Sequence, residues 1–232
     1  MRISAVIVAG GRGKRMGADI NKVFLPLGGT EILAHTLRAF ELCPDIDDIV
    51  VVTGEADMER VKKLAEREGF MKLSHIVPGG AERSDSVYNG LCNAVGDIAA
   101  IHDGARCLID PADISAVVRD AEKYGAAALG VTVKDTLKSI DGNGNICGTI
   151  DRERTVLIQT PQVFKRDDIK ALHERIKEDG SAVTDDCSVF GRYGRSVHVT
   201  TGSYDNIKLT TPEDIAIGEL ILRRRKKRKC IL

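Results

Sequence analysis

The chain has 232 residues with 43% hydrophobic content and no Pro-rich or Gly/Ser-rich linker, which suits one substantial α/β domain and excludes extended disorder. Its 34 basic side chains equal its 34 acidic ones, but seven of the basic residues fall in Arg223 to Lys229, so an acidic body carries a basic tail. The first apolar run is too short for a membrane span and follows no basic segment, so neither export nor insertion is signalled. Six cysteines without CxxC pairing fit a reducing, cytoplasmic setting rather than a secreted disulfide scaffold.

Ile3 to Val8 reads as a buried strand because β-branched residues dominate it. It hands over to Gly10, Gly11 and Gly13, which let the backbone approach a ligand closely or adopt positive φ, while Lys14, Arg15 and Lys22 bring three cations to the same place. Such a loop is suited to a polyanion. A dinucleotide fingerprint would need glycine at Met16, and a P-loop would need Ser or Thr at Arg15. Nucleotide phosphates are the expected ligand, and a glycine turn with solvated cations is the plain alternative.

Phe24 to Leu27 forms a short apolar link, and Ile32, Leu33, Thr36, Leu37 and Phe40 recur at helical spacing. Ile49 to Val52 is a second strand, and Val61, Leu64 and Ala65 give a surface helix over residues 56–68, the βαβ rhythm of a parallel sheet. His75 to Val77 is a strand ended by Pro78, Gly79 and Gly80. Arg83 then stands at a helix start for which Ser84 or Ser86 is the expected cap or first-turn residue. Ile98 to Ile101 is the expected central strand, with Asp103 and Arg106 leaving its carboxyl end, where open α/β sheets bind ligands. Asp103 suits ribose hydroxyls or Mg²⁺ and Arg106 suits phosphate, against the plain alternative of a structural pair. Cys107 beside them has no base in view and reads as structural.

A helix from Pro111 to Lys123 and a strand from Ala126 to Val133 follow. Thr132 to Ile140 is β-rich, Asp141 to Asn145 is a turn, and the return from Ile146 completes a projecting hairpin. Its exposed edges point to a homodimer. Arg152 and Arg154 share strand parity on the returning limb, where they either reach a neighbouring site or lie scattered on the surface. Gln159 to Gln162 reads as a turn out of this region, leading to a helix carrying Ile169, Leu172 and Ile176. Thr184 is the expected cap of a short helix whose Asp185 and Asp186 suit its positive end, with a metal site as the less simple account. Val197 to Thr200 is a late strand. Lys208 precedes a final helix that starts at Thr211 to Asp214 and is expected to end near Leu222. The RRRKKRK run after it reads first as a solvated tail and second as an attraction for RNA or an anionic membrane. The terminal KCIL does not match the Cys-first prenylation pattern.

Glycine-rich backbone with Arg15, Lys22 and Lys208 suits a nucleoside triphosphate attacked at its α-phosphorus, since fixed cations hold the charge that gathers on the equatorial oxygens. Mg²⁺ would neutralise the triphosphate and assist pyrophosphate departure. Zinc hydrolysis is poorly supported by five dispersed histidines without HExxH, and serine hydrolysis lacks GxSxG.

The stretches AGGRGKRMGADINKVFLPL, GGAERSDSV, AIHDGAR, TIDRE, QTPQVF, TDDCSVF and DNIKLTTPED, in this order, give a chain that closely resembles the bacterial 2-C-methyl-D-erythritol 4-phosphate cytidylyltransferase family. The resemblance implies a single Rossmann-like nucleotidyltransferase domain over 1–222, three-layer α/β/α with a mainly parallel sheet. A dimerising β-arm would span about 132–158, and a basic tail 223–232. It implies transfer of a cytidylyl group from CTP, with Mg²⁺, to methylerythritol 4-phosphate. Arg15 and Lys22 correspond to transition-state stabilisers, Ala9, Gly10 and Gly11 to backbone around cytosine and ribose, and Gly80, Arg83 and Ser86 to a second nucleotide segment. Asp103 corresponds to the ribose-positioning acid and Arg106 to its phosphate-side neighbour. Arg152, arriving from the other subunit, and Thr184 correspond to contacts with methylerythritol phosphate, and Lys208 places the attacking phosphate. Three departures stand out. Asn21 replaces a proline that would pre-set the loop, Cys107 replaces a proline, and Ala81 replaces a residue that is often polar. Phe24 is an ordinary aromatic variation. Ribitol-5-phosphate cytidylyltransferase is the nearest enzyme alternative, and a non-catalytic CTP- or RNA-binding protein on this fold is the alternative of another class.

Overall fold

The computed structural model describes residues 1–11 and 21–229. Strand β1 (Ile3–Val8) is followed by a 3-10 turn, Lys22–Phe24, and a ribbon of β2 (Pro26–Leu27) and β3 (Thr30–Glu31). Next come α1 (Ile32–Leu42), β4 (Asp48–Thr53), α2 (Met58–Glu68), β5 (Leu73–Pro78), α3 (Arg83–Asn93), β6 (Ile98–Asp103) and α4 (Pro111–Tyr124). The second half runs β7 (Ala126–Thr132), β8 (Leu137–Ile140), β9 (Ile146–Ile150), β10 (Val156–Lys165), α5 (Arg166–Asp179), α6 (Asp186–Arg192), β11 (His198–Thr201) and α7 (Pro212–Lys229).

The central sheet has seven strands in the order β11-β7-β10-β6-β1-β4-β5. Only β10 runs antiparallel to its neighbours. Alternation along the strands decides the layers, because successive side chains leave opposite faces. Ile3, Ala5, Ile7, Ile49, Val51, Ile98 and Ala100 pack with Leu37 and Phe40 of α1, Leu64 of α2 and Val117 of α4. The intervening Val6, Val50, Val52, Ala99 and Ile101 pack with Val87 and Leu91 of α3, Ile169 and Leu172 of α5 and Phe190 of α6. The result is three layers, α/β/α. After β5 the chain returns to the other side of β1, so the strand order reverses between β1 and β6, and the crevice over their carboxyl ends is the binding position of such sheets.

Three expectations are corrected. Gln159 to Gln162 is not a turn: it lies within β10, whose pairing with β7 slips between Ile158 and Gln162. A proline has no N–H to donate to the ladder, and the strand accommodates Pro161 by this irregularity. Arg152 and Arg154 do not share strand parity, because Arg152–Arg154 forms a 3-10 turn capped by Asp151, which accepts from Glu153 N–H. The last helix runs to Lys229 instead of ending near Leu222. Its basic run is held in part, with Arg224 paired to Asp205 and Arg225 donating to the Leu108 carbonyl at 2.8 Å. Among the described residues no helix is long and apolar enough to cross a membrane.

Gly90 shows how closely α3 lies on the sheet: a Cβ there would stand 2.4 Å from Val6 Cγ1 and 2.8 Å from Val52 Cγ2. Gly90→Ala is expected to destabilise the protein, since overpacking costs about 1–3 kcal/mol and exceeds the up to ~1 kcal/mol gained in helix propensity. Urea unfolding would show a lower midpoint with an unchanged slope.

Candidate active site

A cavity of about 500 Å³ opens at the carboxyl ends of β1 and β6. Ala9, Gly10, Gly11 and Lys22 line one side, Gly80, Arg83 and Ser86 another, and Asp103 and Lys208 the floor. A smaller cavity of about 160 Å³ adjoins it, lined by Arg106, Gln159, Thr160, Gln162, Thr184 and Asp185. Arg83, Asp103 and Lys208 line both cavities. Arg152 lines neither. Gly13, Lys14 and Arg15 lie outside the described residues.

Gly10 and Gly11 do not adopt positive φ, so their use is room: a Cβ on Gly11 would meet nothing within 4 Å. Asn21 fixes the strand's exit where the family's proline would do so by its ring. Its amide donates to the Ala9 carbonyl at 2.6 Å and to Asp57 at 3.1 Å, and its carbonyl oxygen caps the Lys22–Phe24 turn by accepting from Val23 N–H. These bonds hold Asn21 itself, while the loop before it lies outside the described residues. Cys107 is packed with Leu27, Leu209 and Ile221, and burial pushes its thiol up to about 12, the behaviour of a small core residue.

The second wall is set by hydrogen bonds other than those expected. Ser84 and Ser86 belong to the opening of α3, which starts at Arg83, and neither is its cap. The cap is Glu82, whose N–H donates to Asp85 at 3.1 Å. Ser86 instead accepts from Gly80 N–H and donates to the Glu82 carbonyl, both at 3.1 Å, folding the Gly79–Gly80 turn over the helix start. Gly80 is required there, because a Cβ would stand 2.2 Å from Asp85 Cβ. Likewise Asp185, not Thr184, caps α6 by accepting from Ser188 N–H at 2.9 Å. The Asp185 carboxylate reaches the third backbone N–H of the helix, and Thr184 lines the smaller cavity.

Asp103 is the electrostatic centre. Lys208 Nζ lies 2.8 Å from one carboxylate oxygen and Arg106 Nε 3.7 Å from the same oxygen, while Arg83 Nε stands 3.3 Å from the other. Burial disfavours the charged carboxylate, but Arg83 and Lys208 outweigh it and hold Asp103 below the usual range. Arg83 is anchored from behind by Asp186 at 2.9 Å, and Asp186 also meets His173 Nε2 at 3.0 Å. Burial works against the Arg83 charge, yet Asp186 and Asp103 more than compensate and raise its pKa. Asp186 is thus a buried counter-ion, and no metal site forms from the paired aspartates. Among the described residues no three His, Cys, Asp or Glu side chains cluster as metal ligands. Gln162 completes this wall, its carbonyl oxygen accepting from the N–H groups of Asp186 and Cys187 at 2.9 and 3.0 Å.

Sequence reasoning missed Gln159, Thr160, Gln162 and Asp186 as parts of the site. The signal was a proline inside polar residues just before an apolar helix, which fits a turn as well as a strand irregularity. Among the described residues the two linings together hold four basic side chains, Lys22, Arg83, Arg106 and Lys208, against three acidic ones, Glu82, Asp103 and Asp185. The basic groups are therefore largely balanced in place, and three of them gather about Asp103.

A doubly wound sheet with two joined cavities at its switch point, four basic side chains among their linings, is the architecture of α/β proteins that handle nucleotides and phosphates. The chain belongs to the 2-C-methyl-D-erythritol 4-phosphate cytidylyltransferase family, whose profile matches residues 3–224. It is 44% identical over 231 residues to the enzyme of that name from Pelotomaculum thermopropionicum, covering 98% of this chain and 97% of the relative. It is 45% identical over 228 residues to that from Geotalea uraniireducens, covering 96% and 97%. Among solved structures it is similar to 4-diphosphocytidyl-2C-methyl-D-erythritol synthase from Anaerococcus prevotii, with a TM-score of 0.86, 30% identity and 96% of each chain covered.

A carboxylate with a depressed pKa stabilises the fold above its unfolded value, about 4, and loses that contribution as pH falls through its folded value. The stability difference between wild type and Asp103→Asn is therefore expected to be larger near pH 6 than near pH 3 in urea titrations, about 4 marking where it begins to fall.

Proposed function

We infer that the protein transfers the cytidylyl group of CTP to 2-C-methyl-D-erythritol 4-phosphate, giving 4-diphosphocytidyl-2-C-methyl-D-erythritol and pyrophosphate. Family membership supports this reading, and the observation that carries it is the pair of adjoining cavities that share Arg83, Asp103 and Lys208. A nucleotide suits the larger space, with Ala9 to Gly11 and Gly80 to Ser86 around base and ribose. The smaller space suits the polyol phosphate, with Arg106 and Thr184 as its contacts.

An oxygen of the polyol phosphate attacks the α-phosphorus of CTP, one P–O bond forms, and the bond to pyrophosphate breaks. No covalent protein intermediate is needed. Lys22 and Arg15 stabilise charge on the α-phosphate, Asp103 orients the ribose, and Lys208 places the attacking phosphate. Mg²⁺ would be held chiefly by the triphosphate oxygens and water, with Asp103 the nearest carboxylate but both of its oxygens facing Lys208, Arg106 and Arg83. When bound there, the ion supplies charge neutralisation that favours pyrophosphate departure.

The protein acts as a cytoplasmic homodimer in which the β8–β9 hairpin reaches the other subunit. Exposed Ile140, Ile146 and Ile150 on that hairpin support an interface, and Arg152, which lines neither cavity of its own chain, then serves the neighbour's smaller cavity. The domain extends into α7 through Arg224 and Arg225, which bond to the body, and the basic segment 223–232 is accessory to turnover.

Pyrophosphate release measured side by side with methylerythritol 4-phosphate and ribitol 5-phosphate tests the reading. Faster release with the former is expected, faster release with the latter would make the chain a ribitol-phosphate enzyme, and CTP binding without any product would make it a binding protein. Arg152→Ala is expected to weaken reaction with methylerythritol phosphate by about 1.5–3 kcal/mol, roughly ten- to a hundredfold or more. CTP affinity, measured by calorimetry, should stay nearly unchanged; equal losses of both would remove the assigned role.

A further inference from the structure

Beneath the floor shared by the two cavities, buried polar groups close on one another. His102 is fully buried on β6, with Nε2 3.2 Å from the Arg106 carbonyl oxygen and Nδ1 3.0 Å from the Thr160 hydroxyl. A carbonyl oxygen only accepts, so Nε2 carries the proton, and a neutral ring then presents Nδ1 as an acceptor. Thr160 Oγ1 also accepts from the Asp103 N–H at 3.1 Å, and its own hydrogen goes to the bare Nδ1 of the neutral ring. Arg106 Nη1 donates to the Asn206 carbonyl at 2.9 Å, and Asn206 Nδ2 donates to the Thr160 carbonyl at 2.9 Å. These bonds form a closed ring joining the end of β6, the irregular part of β10 and the loop that carries Lys208. With the ring neutral, one arrangement of protons satisfies all of its links. Burial keeps the imidazole neutral, its pKa pushed down to about 3, and the Phe40 ring packs 4.9 Å away.

We propose that His102, Thr160 and Asn206 are positioning residues for the transfer reaction: with His102 fixed as its neutral Nε2–H tautomer, the ring holds Asp103, Arg106 and Lys208 in register across both cavities. The ring grips the Asp103–Arg106 turn at both ends, by the N–H of Asp103 and the carbonyl of Arg106. It grips the Lys208 loop through Asn206, two residues away. Groups that act together on one phosphorus must be placed to within a fraction of an ångström, and a network with a single proton arrangement supplies that placement. The proposal rests on the cytidylyl-transfer reading for its kinetic part alone.

Two measurements test it. In the wild-type protein, ¹⁵N-resolved NMR of the His102 ring is expected to show a protonated Nε2, a bare Nδ1 and no titration between about pH 5 and 8. An Nδ1–H tautomer or a cationic ring would overturn the ring of bonds. Thr160→Val keeps the side-chain shape and removes the hydroxyl; kcat is expected to fall at least about tenfold with the CTP Kd within about threefold, and Thr160→Ser to recover to within about threefold of wild type. A folded Thr160→Val with unchanged kcat, or a serine variant no better than the valine one, would reduce the ring to a structural element. If Thr160→Val does not fold, Thr160→Cys, a weak donor, takes its place under the same criterion. A wild-type protein without transferase activity would sink the functional reading, while the ring-nitrogen spectrum would still decide the tautomer.

Discussion

Asp103 stands where the two cavities meet and gathers Lys208, Arg83 and Arg106 onto one carboxylate. Like charges about 4 Å apart repel by about 4 kcal/mol at an effective dielectric near 20, so cations gathered this closely need a counter-charge. Asp103 supplies it at the junction, and Asp186 supplies a second one behind Arg83. The three cations are thereby held together in advance, and in the phosphate-binding role proposed for them the incoming oxygens would replace a carboxylate's contacts instead of drawing separated side chains together.

The sheet delivers this arrangement with little freedom left over. β1 and β6 are adjacent and parallel, with Val8 level with Asp103, so the glycine turn and the acid emerge side by side. α3 starts beside them because Ser86 folds Gly80 back onto its first turn. The departures from the family's usual residues are absorbed by the same economy. Asn21 replaces ring rigidity with hydrogen bonds to Ala9 and Asp57, and Cys107 fills core space among Leu27, Leu209 and Ile221.

Much of this was legible in the sequence because it depends on period and punctuation. The alternation in Ile3 to Val8, Ile49 to Val52 and Ile98 to Ile101 sets both faces of the sheet, and the polar groups after those strands mark the crevice. What stayed hidden depends on long-range pairing. Pro161 between two polar residues reads locally as a turn, and only its neighbours β6 and β7 reveal a strand that slips in register. The caps at Glu82 and Asp185 were assigned to nearby hydroxyls because local preference ranks several polar residues almost equally. Asp186 looked like a first-turn acid until Arg83, distant in the chain, was placed against it.

The account turns on a triphosphate crossing the larger cavity with its innermost phosphorus facing the smaller one. A crystal structure of the protein with CTP tests this most directly. The account predicts the α-phosphate between the Lys22 and Lys208 ammonium groups, with the ribose beside Asp103. An α-phosphate remote from both lysines, or a nucleotide bound elsewhere on the protein, would contradict it.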